Sequence, residues 1–222
     1  MLCAGQDRHV PDSPGSPLSA ACSTYPYRRR IGLIGGSFNP AHEGHVHMAR
    51  YARQAARLDQ VWWLVSPQNP LKSKRGMTPF VQRLASARDV SQPYSWIKVL
   101  DFEQKKGLQF TADSLSLLVK RCPRADLIWI MGADNLSQFP KWYRARDIAA
   151  NIPILVMSRP GYGWQALASK GAAYLGRRNR RHAPRVLGRR HAHNAHKAGR
   201  EWAFTHRTRN PLSATVLRGN SG

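Results

Sequence analysis

Cysteine is scarce in this chain: three residues in 222, Cys3, Cys22 and Cys122, odd in number and far apart. That spacing offers neither a disulfide framework nor a C-x-x-C metal knuckle. No apolar run approaches the ~20 residues that a membrane span needs. A secretory signal is missing too, because Asp7, Arg8 and His9 interrupt what would be its apolar stretch. These absences predict a reducing, cytoplasmic setting and no membrane partner. Acidic residues form the remaining deficit. Twelve Asp+Glu face 35 Lys+Arg, a net charge of +23, which suggests a polyanionic partner or substrate. The excess is uneven: residues 31–147 carry a net +8 and residues 148–222 carry +13. Most of the charge therefore belongs to the C-terminal third and says little about a site in the middle.

Enough apolar surface is present for a core, at 42% hydrophobic and 9% aromatic residues, which excludes wholesale disorder. Residues 1–27, rich in Pro, Ser, Gly and Ala without a period of 2 or 3.6, read as a disordered extension. From Ile31 the pattern alternates. Short apolar runs at 31–34, 61–65, 96–100, 127–131 and 154–157 predict strands, and helical spacing runs over about 41–58, 80–89, 112–120 and 142–150. Such alternation implies a single α/β domain over 28–222, with a mostly parallel sheet covered by helices on both faces. Ligands on such sheets bind beyond the carboxyl ends of the strands. Residues 177–200 hold nine Lys/Arg, four His and no acid. A basic loop or insertion is expected over about 166–200, before strand character resumes at 202–204.

The most informative segment is Gly35-Gly36-Ser37-Phe38-Asn39-Pro40, followed by His42, Gly44 and His45. A strand ends in two glycines, which let a ligand approach the backbone. A helix follows whose first turn holds His42 and His45 on one face. Free N–H groups and a positive dipole at that end suit an anion, and two imidazoles can donate to phosphate oxygens. Neither a P-loop nor a dinucleotide fingerprint occurs. The plainer alternative is a pair of helix-surface histidines. A metal pair is disfavoured by the lack of a third ligand nearby.

This segment resembles the G-G-x-F-[DN]-P-x-H-x-G-H signature of the nucleotidyltransferases that transfer AMP or CMP from a nucleoside triphosphate. Four further segments, at 66–72, 110–115, 131–143 and 213–218, narrow the resemblance. Their order and spacing are similar to the nicotinate-nucleotide adenylyltransferase family over roughly 29–165 and 201–218. The resemblance implies a Rossmann-like doubly wound fold and transfer of AMP from ATP to nicotinate mononucleotide. It implies Mg2+ carried by the ATP, with no metal site on the protein and no specific nucleic-acid partner. It also implies the site. Gly35, Gly36, Ser37, Phe38, His42, His45 and Asp134 fall to ATP, as do Ser213, Thr215 and Arg218. Of these, His42, His45 and Arg218 are the catalytic set. Asn69, Lys72, Thr111, Trp142 and Tyr143 fall to nicotinate mononucleotide, with Thr111 opening a helix and Trp142 stacking on the pyridine ring.

Each assignment keeps an ordinary alternative. Lys72 stands beside Lys74 and Arg75 and is also a plain surface lysine. Thr111 and Asp134 are also structural caps, Trp142 is also a core residue, and Arg218 also a surface arginine. His191, His193 and His196 read as a solvated basic stretch rather than a metal site. Asn39 stands where many relatives carry Asp, and 166–200 aligns with nothing in the family. Pantetheine-phosphate adenylyltransferases and cytidylyltransferases share the H-x-G-H loop, but 139–143 and the Thr111 segment argue against both. A repurposed nucleic-acid-binding protein would suit the charge, yet no RNA-binding motif is present.

Overall fold

The computed structural model describes residues 29–67, 76–158, 163–176 and 201–205. Its strands are β1 (Arg29–Gly36), β2 (Gln60–Val65), β3 (Ile97–Leu100), β4 (Ala125–Gly132), β5 (Ile154–Met157) and β6 (Trp202–Thr205). They form one sheet in the order β3-β2-β1-β4-β5-β6, parallel throughout. The crossovers carry α1 (Glu43–Ala56), α2 (Phe80–Ser91), α3 (Phe102–Lys105) and α4 (Thr111–Arg121). After β4 come α5 (Ala133–Leu136), a 3₁₀ turn (Phe139–Lys141) and α6 (Ala145–Asn151), and between β5 and β6 lie α7 (Gly163–Leu167) and α8 (Lys170–Leu175).

A strand buried on both faces needs no alternation, which is why the central strands read as continuous apolar runs. Their side chains still alternate in direction and feed two cores. One face gathers Leu33, Trp129, Leu115, Ile148 and Trp202. The other gathers Ile34, Trp63, Ile130 and Leu155 under α1. That helix buries Val46, Ala49, Ala52 and Ala56, the spacing expected from the sequence, and ends where Arg57 turns left-handed at φ 49°. Strand order reverses between β1 and β4, so the crevice beyond their carboxyl ends is where such a sheet receives a ligand.

Three expectations need adjusting. Residues 166–176 are not loop: α7 and α8 bury Ala166, Ala172 and Leu175. The Ser169 hydroxyl caps α8 by accepting from the Ala172 amide at 3.3 Å. Gly171 lies so close to the Leu136 carbonyl that no side chain fits there. The helix expected over 142–150 begins only at Ala145, after the 3₁₀ turn. Cys122, the one cysteine among the described residues, is buried and disulfide-bonded, against the expectation that the cysteines offer no disulfide framework. The indole N–H of Trp202 donates to the Gly176 carbonyl at 2.9 Å, tying β6 back to the end of α8. The expected extension at 1–27 and the basic stretch at 177–200 lie outside the described residues. No helix among the described residues is long and apolar enough to cross a membrane.

Candidate active site

β1 delivers Gly35 and Gly36 to the crevice, and the turn after them carries Ser37 to Asn39. A Cβ on Gly35 would lie 2.5 Å from Cη2 of Trp129, so this glycine is required by the tryptophan packed over it. On Gly36 a Cβ would meet nothing nearer than the Phe38 ring at 3.6 Å, leaving close approach there open to a ligand. Phe38 adopts φ 47°, a left-handed conformation that costs roughly 1–2 kcal/mol for a residue with a side chain. Burial offsets that cost. Its ring is 1% exposed and stacks on Trp63 at 5.1 Å and against His45 at 4.8 Å. The Phe38 side chain thus supports His45 rather than facing the crevice.

His42 is the N-cap of α1 and His45 its third residue, with ring centroids 4.0 Å apart. The His42 Nδ1 accepts from the Gly44 amide at 3.1 Å, and the His45 Nδ1 accepts from the His42 amide at 3.2 Å. The sequence predicts helix N–H groups free for an anion; in the structure two of the amides at this end donate to the imidazoles instead. A neutral ring that accepts at Nδ1 must carry its proton on Nε2. Capping therefore fixes the tautomer of each neutral ring, with its proton on Nε2.

Beyond β4, Asp134 occupies the first turn of α5, half-buried. The second half of the crevice is built on α4. Its N-cap is Phe110, not Thr111, and no side chain caps it. Asp113 and Ser114 amides reach the Phe110 carbonyl at 3.1 and 3.2 Å, while the Thr111 and Ala112 amides have no partner within the helix. Two aromatic residues follow the 3₁₀ turn. Trp142, half-buried, packs edge-on to Trp129 at 6.3 Å and tilts on Phe139 at 5.5 Å. The Tyr143 ring, about half exposed, lies 4.5 Å from Phe110. Asp113 does not leave its charge unanswered: Arg144 Nη1 approaches it at 3.5 Å while Arg144 Nε donates to Asp147 at 2.6 Å.

Two buried charged residues at the centre escaped sequence reasoning. Arg83 on α2 is 2% exposed. Its guanidinium donates to the carbonyls of Thr78 (2.9 Å), Ser37 (2.5 Å), Ser66 (2.8 Å) and Pro67 (2.8 Å). Burial lowers its pKa from the ordinary arginine value, although a guanidinium stays charged at neutral pH. Glu103 on α3 is 5% exposed and accepts from the Ser66 hydroxyl at 2.7 Å and the Ser114 hydroxyl at 2.8 Å. Burial raises its pKa, and the two hydroxyl donors oppose that shift less strongly. Asn39 completes the arrangement: its Nδ2 donates to the Gly76 carbonyl at 2.9 Å and its Oδ1 accepts from the Thr78 amide at 3.1 Å. A carboxylate could only accept, so asparagine here makes a two-way link that aspartate would not.

A family model described as cytidylyltransferase-like matches residues 33–220. The probable nicotinate-nucleotide adenylyltransferase of Gluconobacter oxydans is 46% identical over 191 residues, covering 85% of this chain and 93% of that protein. The chain belongs to the nicotinate-nucleotide adenylyltransferase family. Another member, from Parvibaculum lavamentivorans, is 51% identical over 146 residues, 66% of this chain and 72% of that protein. The solved Plasmodium falciparum nicotinic acid mononucleotide adenylyltransferase complexed with NaAD superposes with a TM-score of 0.61 at 14% identity. It covers 86% of this chain and 83% of that one, a likeness of fold.

Of the residues that the family resemblance implied, the adenylyltransferase fold brings Gly35, Gly36, Ser37, His42, His45 and Asp134 to the β1 and β4 ends. Thr111 opens α4, Tyr143 packs on its N-cap residue Phe110, and Trp142 lies against Trp129 and Phe139. Asn69, Lys72, Ser213, Thr215 and Arg218 lie outside the described residues. Among the described residues no three His, Cys, Asp or Glu side chains gather in a way that could hold a metal.

Proposed function

We propose that this chain transfers the AMP moiety of ATP to the 5′-phosphate of nicotinate mononucleotide, giving nicotinate adenine dinucleotide and pyrophosphate. The observation that carries this reading is the paired imidazoles at the head of α1, whose capping bonds fix both protons on Nε2. Such donors suit an α-phosphate that gains charge in the transition state, and they need no reorganisation when it does.

A phosphate oxygen of the mononucleotide forms the new bond to the α-phosphorus. The bond from that phosphorus to the bridging oxygen breaks, and pyrophosphate leaves with the electron pair. The attacking phosphate is already an anion at pH 7, so no general base is required, and catalysis is alignment plus charge stabilisation. His45 serves the α-phosphate and His42 the triphosphate. Ser213, Thr215 and Arg218 serve the leaving pyrophosphate on the strength of the resemblance alone. Gly36 and Ser37 admit the phosphates close to the backbone, and Asp134 accepts from the ribose hydroxyls. Mg2+ enters with ATP as part of the substrate. At the other end Trp142 stacks on the pyridine, Tyr143 flanks it, and the unpaired amides of α4 face its carboxylate. Asn69 and Lys72 serve the mononucleotide, again by resemblance.

Pyrophosphate release from ATP, measured with nicotinate mononucleotide, nicotinamide mononucleotide, pantetheine phosphate and no acceptor, tests this. Release must depend on the pyridine mononucleotide; dependence on pantetheine phosphate alone overturns the reading. In a folded His45→Ala protein kcat should fall by ~10²–10³, the loss expected for one preorganised donor. An unchanged kcat removes His45 from the assignment.

A further inference from the structure

Arg83 bonds to main-chain carbonyls of three segments, the turn after β1, the end of β2 and the approach to α2. Ser37 belongs to the turn after β1, where the ATP phosphates are proposed to lie. Ser66 and Pro67 leave the end of β2, and Thr78 brings the chain back toward α2. Both ends of the segment that connects β2 to α2 are therefore held by one side chain. From Ser66 the path continues through its hydroxyl to Glu103 and on to the Ser114 hydroxyl in α4. The Ser66 amide also donates to the Gly36 carbonyl at 2.9 Å. The turn for one substrate and the helix for the other are thus joined through Ser66 by buried polar bonds.

A buried guanidinium is a costly way to satisfy carbonyls that water could otherwise reach. Its planar fork does something water cannot: it fixes the distances among several main-chain segments at once. In-line attack between two bound substrates demands such fixity, since a displacement of about 1 Å lowers the rate on the order of 10²-fold. We infer that Arg83 is a positioning residue for the transfer, setting the ATP turn relative to the mononucleotide half of the crevice through Ser66. This rests on the function proposed above and assigns Arg83 no contact with either substrate.

The test compares wild type with Arg83→Lys, which keeps the charge and loses the fork. Wild-type turnover with nicotinate mononucleotide first decides the underlying function, independently of any variant. The affinity for ATP alone, and for the mononucleotide beside a non-reacting ATP analogue, is then measured together with kcat. Positioning predicts a kcat lower by ~10²-fold with each affinity within about threefold of wild type. A kcat near wild type overturns the proposal. So does a loss that follows the affinity for one substrate, because that describes a residue building a single subsite. If Arg83→Lys does not fold, Ser66→Ala and Glu103→Gln break the next links on the same path. They should lower kcat by about tenfold at unchanged affinities, and wild-type kcat in both overturns the proposal.

Discussion

A methyl group on Gly35 would fall 2.5 Å from Trp129, whereas one on Gly36 has 3.6 Å of room to the Phe38 ring. The same substitution therefore has two meanings in adjacent residues. Gly35→Ala overpacks the sheet face and should destabilise by ~1–3 kcal/mol, read as a lower Tm. Gly36→Ala should keep its Tm and raise the KM for ATP. Equal Tm losses in both would contradict this division. Glu103 yields a pH prediction. Burial raises its carboxyl pKa above the ordinary value of 4.5. Above that pH the unfolded chain releases the proton before the native state does, so the native state binds more protons and stability falls as pH rises. Glu103→Gln cannot titrate, so its Tm relative to wild type should climb from pH 4.5 upward. A gap that stays flat or narrows rejects the buried-carboxyl account. Neither Glu103 nor Arg83 was legible in the sequence. A charged residue within an amphipathic stretch reads as solvent-facing, and only tertiary packing turns these two inward.

Elements were legible in proportion to their length and burial. The expected strands at 31–34, 61–65, 96–100, 127–131 and 154–157 match β1 to β5 within two residues at each end, because runs buried on both faces leave a continuous apolar signal. α3, α5, α7, α8 and the 3₁₀ turn went unseen, since one or two turns hold too few residues to show a period. The sequence predicts α4 from Ala112 behind a threonine cap, one residue later than the structure starts it. The actual cap, Phe110, offers no side-chain acceptor, and that matters for substrate choice. Unpaired amides and the helix dipole favour a carboxylate over a neutral carboxamide by roughly tenfold or more. The ratio of kcat/KM for nicotinate against nicotinamide mononucleotide measures it, and a ratio near one refutes the role of α4. Arg144 holds Asp113 in the first turn of this helix. Arg144→Ala should unmask that carboxylate and lower kcat/KM for the acid by about two- to fivefold, with the amide unaffected. Equal losses for both substrates would mean that Arg144 acts on the fold alone.

At the scale of the whole molecule, charge and chemistry separate. Residues 148–222 carry +13, and nine of their basic residues fall within 177–200. Non-specific attraction to polyanions should therefore reside largely in that stretch. Replacing 177–200 by a short Gly-Ser linker should abolish most salt-dependent retention on nucleic acid while leaving kcat unchanged. Loss of activity in a folded deletion would make the stretch part of the site. The bond from Trp202 to the Gly176 carbonyl bears on this design. It fastens the two chain ends that border the stretch to neighbouring points, whatever sequence runs between them. Joining two fixed points costs an entropy that rises by only about 0.6 kcal/mol for each doubling of length. Halving the stretch should then move Tm by about 1–3 °C. The border between α8 and β6 thus works as a port in the architecture, a place where sequence of differing length and chemistry can be spliced in while the sheet closes in the same way.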